Sequence, residues 1–229
     1  MSISRTYELK RRAERQQETR ERIVEAAIEL HTTLGPSRTT VTAIAERAGV
    51  TRPTVYAHFP DDRSLFEACS GHVRTTVPPP DPAAWRSIPD PGKRLETALQ
   101  DLYGYYERLE PLLENVQRDA AVMPIVAEMN AYRVRYLEEV RDVLVEAWAA
   151  RGAARARLGR ATGHALEFRT WQSLVRRQGC RPAEAAQLMV AFVAAVAVIA
   201  RDIQAHHRPR ALAQRAKNTS NPIDVFSGR

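Results

Sequence analysis

Residues Thr39–Phe66 read TTVTAIAERAGVTRPTVYAHFPDDRSLF, and the punctuation of this stretch decides the fold around it. Thr40 can cap a short helix in which Val41, Ile44, Ala45 and Ala48 form one apolar face. Gly49 follows, suited to the positive φ of a sharp turn, and Val50 fills the angle beyond it. Thr51 caps a second short helix with Pro53 in its first turn, where a missing N–H costs little. Val55 and Phe59, four apart, face inward, and Phe59-Pro60 closes the helix. The whole, over about residues 40–59, is a helix-turn-helix. Asp61 and Asp62 then offer acidic caps to a helix carrying Leu65, Phe66, Cys69 and Val73 on one side.

With Val55 and Phe59 turned inward, Arg52, Thr54, Tyr56 and His58 point outward. Their hydroxyls and imidazole hydrogen-bond phosphate, and arginine reads guanine bidentately. An exposed helix N-terminus adds its own preference for anions. A helical hairpin with a glycine turn and a merely solvated polar face fits the same pattern. Spacing alone leaves both readings open.

Helical signals continue on either side, and no segment sustains the two-residue alternation of a strand. Upstream, Ile23, Ala26, Ala27, Leu30 and Leu34 form a stripe that stops at Gly35-Pro36. Downstream, Val77 to Gly92 holds Pro78, Pro79, Pro80, Pro82, Pro89 and Pro91, six of the chain's 14 prolines, which predicts an extended connection. Asp90-Pro91 opens the next helix, Pro111 starts a shorter one, and Pro124 opens a long amphipathic one ending near Gly152. A further helix is expected from about Ala153 to Gln178. The last begins at Pro182 and is apolar nearly all round from Leu188 to Ala200. Such a helix needs cover on every side; a second copy of the chain and the core of a monomer both supply it.

The chain has 229 residues, 44% of them hydrophobic, enough for one or two domains with a real core. Its net charge is +7, but residues 1–75 hold 12 Lys/Arg against 10 Asp/Glu, so charge alone names no partner. The early positives, Arg5, Lys10, Arg11, Arg12 and Arg15, are interleaved with Glu8 and Glu14 and read either as a DNA-contacting arm or as solvated helix. The first residues lack a signal-peptide apolar core, and the longest apolar run, 13 residues, is short of a bilayer span. A cytoplasmic protein without membrane partners is expected. Cys69 and Cys180 lie too far apart for a zinc site, His206-His207 sits in a polar tail, and no metal or cofactor is expected. There is no P-loop, G-x-G-x-x-G, H-E-x-x-H or G-x-S-x-G, and no carboxylate pair at catalytic spacing, so no enzyme is expected.

Ala45-Glu46-Arg47-Ala48-Gly49-Val50, followed by Thr54-Val55-Tyr56-Ala57-His58-Phe59-Pro60, resembles the N-terminal domain of TetR-type (TetR/AcrR) transcriptional regulators over roughly Thr19 to Val73. The resemblance implies an all-α homodimer: an N-terminal helix-turn-helix domain, then a helical ligand-binding and dimerisation domain paired through a four-helix bundle. On that basis residues 1–76 are a DNA-binding domain, 77–91 the Pro-rich connection, 92–206 the effector-binding and dimerisation domain, and 207–229 a mobile tail. The implied function is sequence-specific binding of a near-palindromic double-stranded DNA, usually as a repressor released by a small molecule. A nonspecific DNA-binding protein, or a small-molecule-binding protein with an inactive helix-turn-helix, are the alternatives.

Carried onto this sequence, Thr40 and Thr42 fall where the family contacts phosphate, and Arg52, Pro53 and Thr54 on the base-facing turn. Tyr56 and His58 fall on phosphate-holding positions, and Ala57 is small enough to meet a thymine methyl. Asp62 stands where the family very often has lysine; Arg63, next along, is the candidate substitute. In the C-terminal part, Tyr103, Tyr106, Met129, Tyr132, His164, Phe168 and Trp171 are candidates to line an effector pocket, with His164 as polar anchor. Aromatic and Met residues at helical spacing are equally the mark of core packing.

Overall fold

The computed structural model describes residues 2–199, with side chains from Tyr7 onward. Every α-helix, turn and connection among them is built without a strand. The helices are α1 (Ser2–Thr33), α2 (Val41–Ala48), α3 (Arg52–His58), α4 (Asp62–Thr76), α5 (Pro82–Trp85), α6 (Pro91–Asp119), α7 (Pro124–Glu146), α8 (Gly152–Leu166), α9 (Phe168–Gln172) and α10 (Pro182–Ile199). The expected tail, residues 207–229, and His206-His207 lie outside the described residues. Among the described residues two compact units form: 2–81 with 101–138, and 82–100 with 139–199.

In the first unit, α1 runs unbroken through the early basic residues. Lys10 pairs with Glu14 at 4.0 Å and the Arg15 side chain donates to the Arg11 carbonyl, so this stretch is an exposed helix face. The helix ends as its stripe requires: the Leu34 and Gly35 N–H groups both donate to the Leu30 carbonyl, and Gly35 takes φ 96°. Ile23, Ala27, Ile44, Ala45, Val55, Phe59, Leu65 and Cys69 close into one core between α1, α2, α3 and α4. Burying side chains such as Val55 and Phe59 stabilises by about 1.5–3 kcal/mol each. The Cys69 thiol, pushed up to about 12 by burial, is packing and not a nucleophile.

In the second unit Leu95, Leu99, Val140, Leu144, Leu158, Leu166, Phe168, Trp171 and Val193 are all fully or nearly fully buried. The Pro-rich connection is not extended throughout. Pro82–Trp85 makes one helical turn, Trp85 is buried, and the Arg94 guanidinium donates to the carbonyls of Arg86, Ile88 and Val143. A buried arginine is tolerated here because backbone oxygens satisfy its donors.

Two expectations of element boundaries and one of apolar length need correction. Pro111 does not start a helix; it lies inside the 29-residue α6, where Leu109 and Leu113 are buried on either side and packing outweighs one lost hydrogen bond. The helix expected over 153–178 breaks at Glu167, which is extended at ψ 135°. The break turns both Leu166 and Phe168 into the core, and the His164 carbonyl accepts from the Glu167 N–H at 3.2 Å and from Thr170 Oγ1 at 2.7 Å. In α10, Pro182–Ile199 reaches 18 residues at mean hydropathy 1.9, long and apolar enough by those measures to cross a membrane, with 28% of it buried. Leu188, Phe192, Val198 and Ile199 are exposed along it.

Candidate nucleic-acid interface and internal cavity

The helix-turn-helix is held by its own capping residues. Thr40 Oγ1 accepts from the Ala43 N–H at 3.1 Å, opening α2. Gly49 closes it at φ 66°, ψ 39°, while the Val50 N–H returns to the Ala45 carbonyl at 2.9 Å. Thr51 accepts from the Thr54 N–H, and its hydroxyl shares a 2.8 Å hydrogen bond with that of Thr54. Val55 and Phe59 anchor α3 in the core, and the Arg20 guanidinium lies 4.5 Å over the Phe59 ring. One face of α3 is therefore fixed, which dictates what the other presents.

That other face carries the candidate DNA-contacting side chains. Thr40, Thr42, Arg52, Pro53, Tyr56 and Ala57 are exposed, and Thr54 and His58 half-buried. Tyr56 is 47% exposed despite its large apolar ring. Arg52 makes no ion pair among the described residues. Arg38, which the sequence reading passed over, is also exposed, in the short 3-10 turn Pro36–Arg38 that leads into α2.

Beyond α3, the charge is arranged differently. Asp61 caps α4 through the Ser64 N–H at 2.8 Å, and this hydrogen bond holds its carboxyl below the usual carboxylate range. Arg63, the candidate replacement for the missing lysine, is already engaged: its two terminal nitrogens donate to both Glu128 oxygens at 2.7 Å. The bidentate pair lowers the Glu128 carboxyl from its ordinary value.

The first unit also contains a cavity of about 150 Å³ walled by α1, α4, α6 and α7. Of the seven pocket candidates, Tyr106, Met129 and Tyr132 line it. Tyr103 is wholly buried beside Tyr106, while His164, Phe168 and Trp171 belong to the second unit. His164 is exposed, its ring and that of Phe192 at 71° to each other with centroids 6.1 Å apart. Sequence reasoning missed the walls given by α1 and α4, because Ile28, His31, Phe66 and Arg74 come from the segment read as purely DNA-binding.

Beside the cavity, side chains of α6 close the end of α1. Asn115 donates to the carbonyls of His31 and Thr32 at 3.1 and 2.8 Å, and Arg118 to that of Leu34 at 3.1 Å. Asp119, 1% exposed, accepts from the Ser37 N–H at 2.9 Å and from Arg118 Nε at 2.7 Å. These bonds satisfy carbonyls that a helix end leaves without partners. His31 stacks on Phe66 with ring centroids 5.2 Å apart, and burial, partly offset by Asp119, lowers its pKa to about 4. Among the described residues no cluster of His, Cys, Asp and Glu could hold a metal ion.

Comparison with known proteins places these features. Residues 23–69 match the family model for bacterial regulatory proteins of the tetR family. An uncharacterized HTH-type transcriptional regulator of Mycobacterium bovis is 29% identical over 167 residues, 71% of this chain and 80% of the relative. The crystal structure of a tetR-family transcriptional regulator from Streptomyces coelicolor shares the fold with a TM-score of 0.61 at 20% identity, covering 91% of each chain. NalD, described as the secondary repressor of the MexAB-OprM multidrug efflux pump in Pseudomonas aeruginosa, does so with a TM-score of 0.55 at 21% identity, covering 79% of this chain and 95% of that one.

Proposed function

We propose that this chain, whose residues 23–69 match the family model for bacterial regulatory proteins of the tetR family, is a DNA-binding transcriptional regulator of that kind: a homodimeric, cytoplasmic repressor released from its operator by a small molecule. The observation that carries the reading is α3: a capped helix, pinned by Val55 and Phe59, with Arg52, Pro53, Tyr56 and Ala57 left exposed. Arg52 and Thr54 read base edges in the major groove, while Thr40, Thr42, Tyr56, His58 and the nearby Arg38 hold phosphates. Leu188 and Phe192, one turn apart on α10 and 49% and 43% exposed, support dimerisation, since a second copy offers the same apolar face in return. Sedimentation of the full chain as a monomer would remove that part of the proposal. NalD, as a repressor of this fold, supports the sign of regulation.

Fluorescence anisotropy with DNA flanking the gene, against scrambled DNA of equal length at ~150 mM salt, tests the reading. Tight binding to the native DNA alone is expected. Equal binding to both makes the protein a nonspecific DNA binder; binding to neither leaves a small-molecule-binding protein with an inactive helix-turn-helix. Arg52→Ala is expected to lose about 1–3 kcal/mol on the operator and to relax sequence preference, whereas Tyr56→Phe weakens all sequences alike. An equal loss on every sequence for Arg52→Ala removes it as a base reader.

The Arg63–Glu128 pair leads to a separate expectation. Held by Glu128, Arg63 is not available to the phosphate position near Asp62. Glu128→Gln frees the guanidinium, so DNA binding tightens on every sequence and the log–log salt slope steepens by about 0.9, one phosphate's worth. An unchanged slope means that Arg63 does not reach the backbone even when released.

A further inference from the structure

The walls of the first unit's cavity are chemically lopsided. Among the described residues no Asp or Glu lines it, whereas Arg74 and Arg133 do. Arg133 is half-buried, and its Nε donates to Asn130 Oδ1 at 2.9 Å, which fixes the plane of the guanidinium. Its Nη1 is buried and has no hydrogen-bond partner among the described residues. A buried, unpaired donor on a charged group is costly to leave so, and a ligand acceptor removes that cost. At the exposed rim, Arg74 lies 4.8 Å over the Tyr132 ring. Burial raises the pKa of the Tyr105 phenol on the same wall, and Arg133, Arg108 and Arg74 each oppose that shift, so their positive fields converge there. His31 adds no third charge at neutral pH, since burial keeps its ring uncharged.

Most of the remaining wall is apolar, with Phe66, Leu109, Leu113 and Val126 among it, while Ser70, Asn130 and the tyrosines add uncharged polar groups. A volume of about 150 Å³ is that of an apolar cavity able to hold one benzene-sized molecule. We propose that the cavity takes a small organic monoanion, a carboxylate on a single ring or an equally small apolar body, with the carboxylate on Arg133 Nη1 and the body among the leucines. The proposal rests on the proposed release by a small molecule, places that effector in this cavity and names its class. Cationic ligands are disfavoured by the same two guanidiniums, and neutral ones leave Nη1 unpaired.

Three nearly isosteric probes of different charge separate the possibilities: benzoate, benzamide and benzamidinium, titrated calorimetrically into the full-length protein. Benzoate is expected to bind at least tenfold more tightly than benzamide, with no measurable binding of benzamidinium. Arg133→Gln brings benzoate down to the level of benzamide, and Arg74→Gln, at the rim, weakens it a few-fold without disturbing the core. Circular dichroism verifies the fold of both variants, and Arg74→Gln remains informative if Arg133→Gln fails to fold. Benzamide or benzamidinium binding as well as benzoate overturns the proposal, as does the absence of benzoate binding at millimolar concentration. DNA anisotropy with benzoate present separates this from the effector reading. Anion binding that leaves DNA affinity unchanged preserves the ligand class and removes the effector role; DNA release by benzamide alone does the reverse.

Discussion

Gly35→Ala lowers the unfolding free energy of the protein by about 4 kcal/mol, an outcome expected from backbone strain and lost pairing together. At φ +96° an alanine is strained wherever its methyl points. Here the methyl also points into the Arg118 guanidinium and comes within 2.6 Å of Asp119 Oδ2. The arginine can move; the buried Asp119, bonded to the Ser37 N–H, cannot leave without an unpaired carboxylate remaining inside. Gly49→Ala is the natural control, because Gly49 also has positive φ, +66°, but its added methyl meets nothing within 4 Å. Only the left-handed backbone penalty remains there, about 1 kcal/mol. Urea denaturation of both variants checks the contrast. Equal losses at the two glycines contradict the assignment of Gly35 to the α6 clamp.

Acidification from pH 7 to pH 4 is the second large perturbation. His31 is 5% exposed and its pKa falls from an ordinary 6.5 to about 4, so between those values the unfolded chain binds a proton that the folded protein refuses. The stabilisation is complete above about pH 6.5, is lost progressively as pH falls, and is gone below about pH 4. At about 1.4 kcal/mol per pKa unit, this one imidazole accounts for about 3 kcal/mol. Asp119, beside it, titrates lower still: burial favours its neutral acid, but Arg118 and the Ser37 N–H hold its carboxyl below the usual range. His31→Gln is therefore expected to flatten the stability profile between pH 6.5 and 4 relative to the native chain. Parallel profiles, measured as urea midpoints at successive pH values, contradict a buried neutral His31.

What could be read from the sequence was local. Thr40, Gly49, Thr51 and Asp61 each act through a neighbour three or four residues away, and the structure bears out all four as caps or turn. The inward pair Val55 and Phe59 follows from the same short-range periodicity. Where distant packing decides, the sequence misleads. Pro111 looks like a helix start until Leu109 and Leu113 are seen to hold α6 together across it. Nothing near Glu167 signals a break, which exists because the core needs both Leu166 and Phe168. The cavity was half legible: Tyr106, Met129 and Tyr132 lie on helical stripes, whereas nothing in the sequence marks Arg133 as the arginine whose buried Nη1 lies at the cavity wall. Arg63 had the right charge near the right place, and only the structure gives it Glu128.

Asn115, Arg118 and Asp119 also set a timetable. Ser37 bonds a carboxylate 82 residues downstream, and the last carbonyls of α1 await donors equally remote. At roughly 5–20 residues per second, a ribosome makes that intervening segment in about 4–16 s. Throughout this interval the nascent helix-turn-helix has its internal caps but an unfinished α1 end, and Gly35 has nothing to lean on. The helix-turn-helix part of the protein is translated first and completed only once the end of α6 has left the exit tunnel.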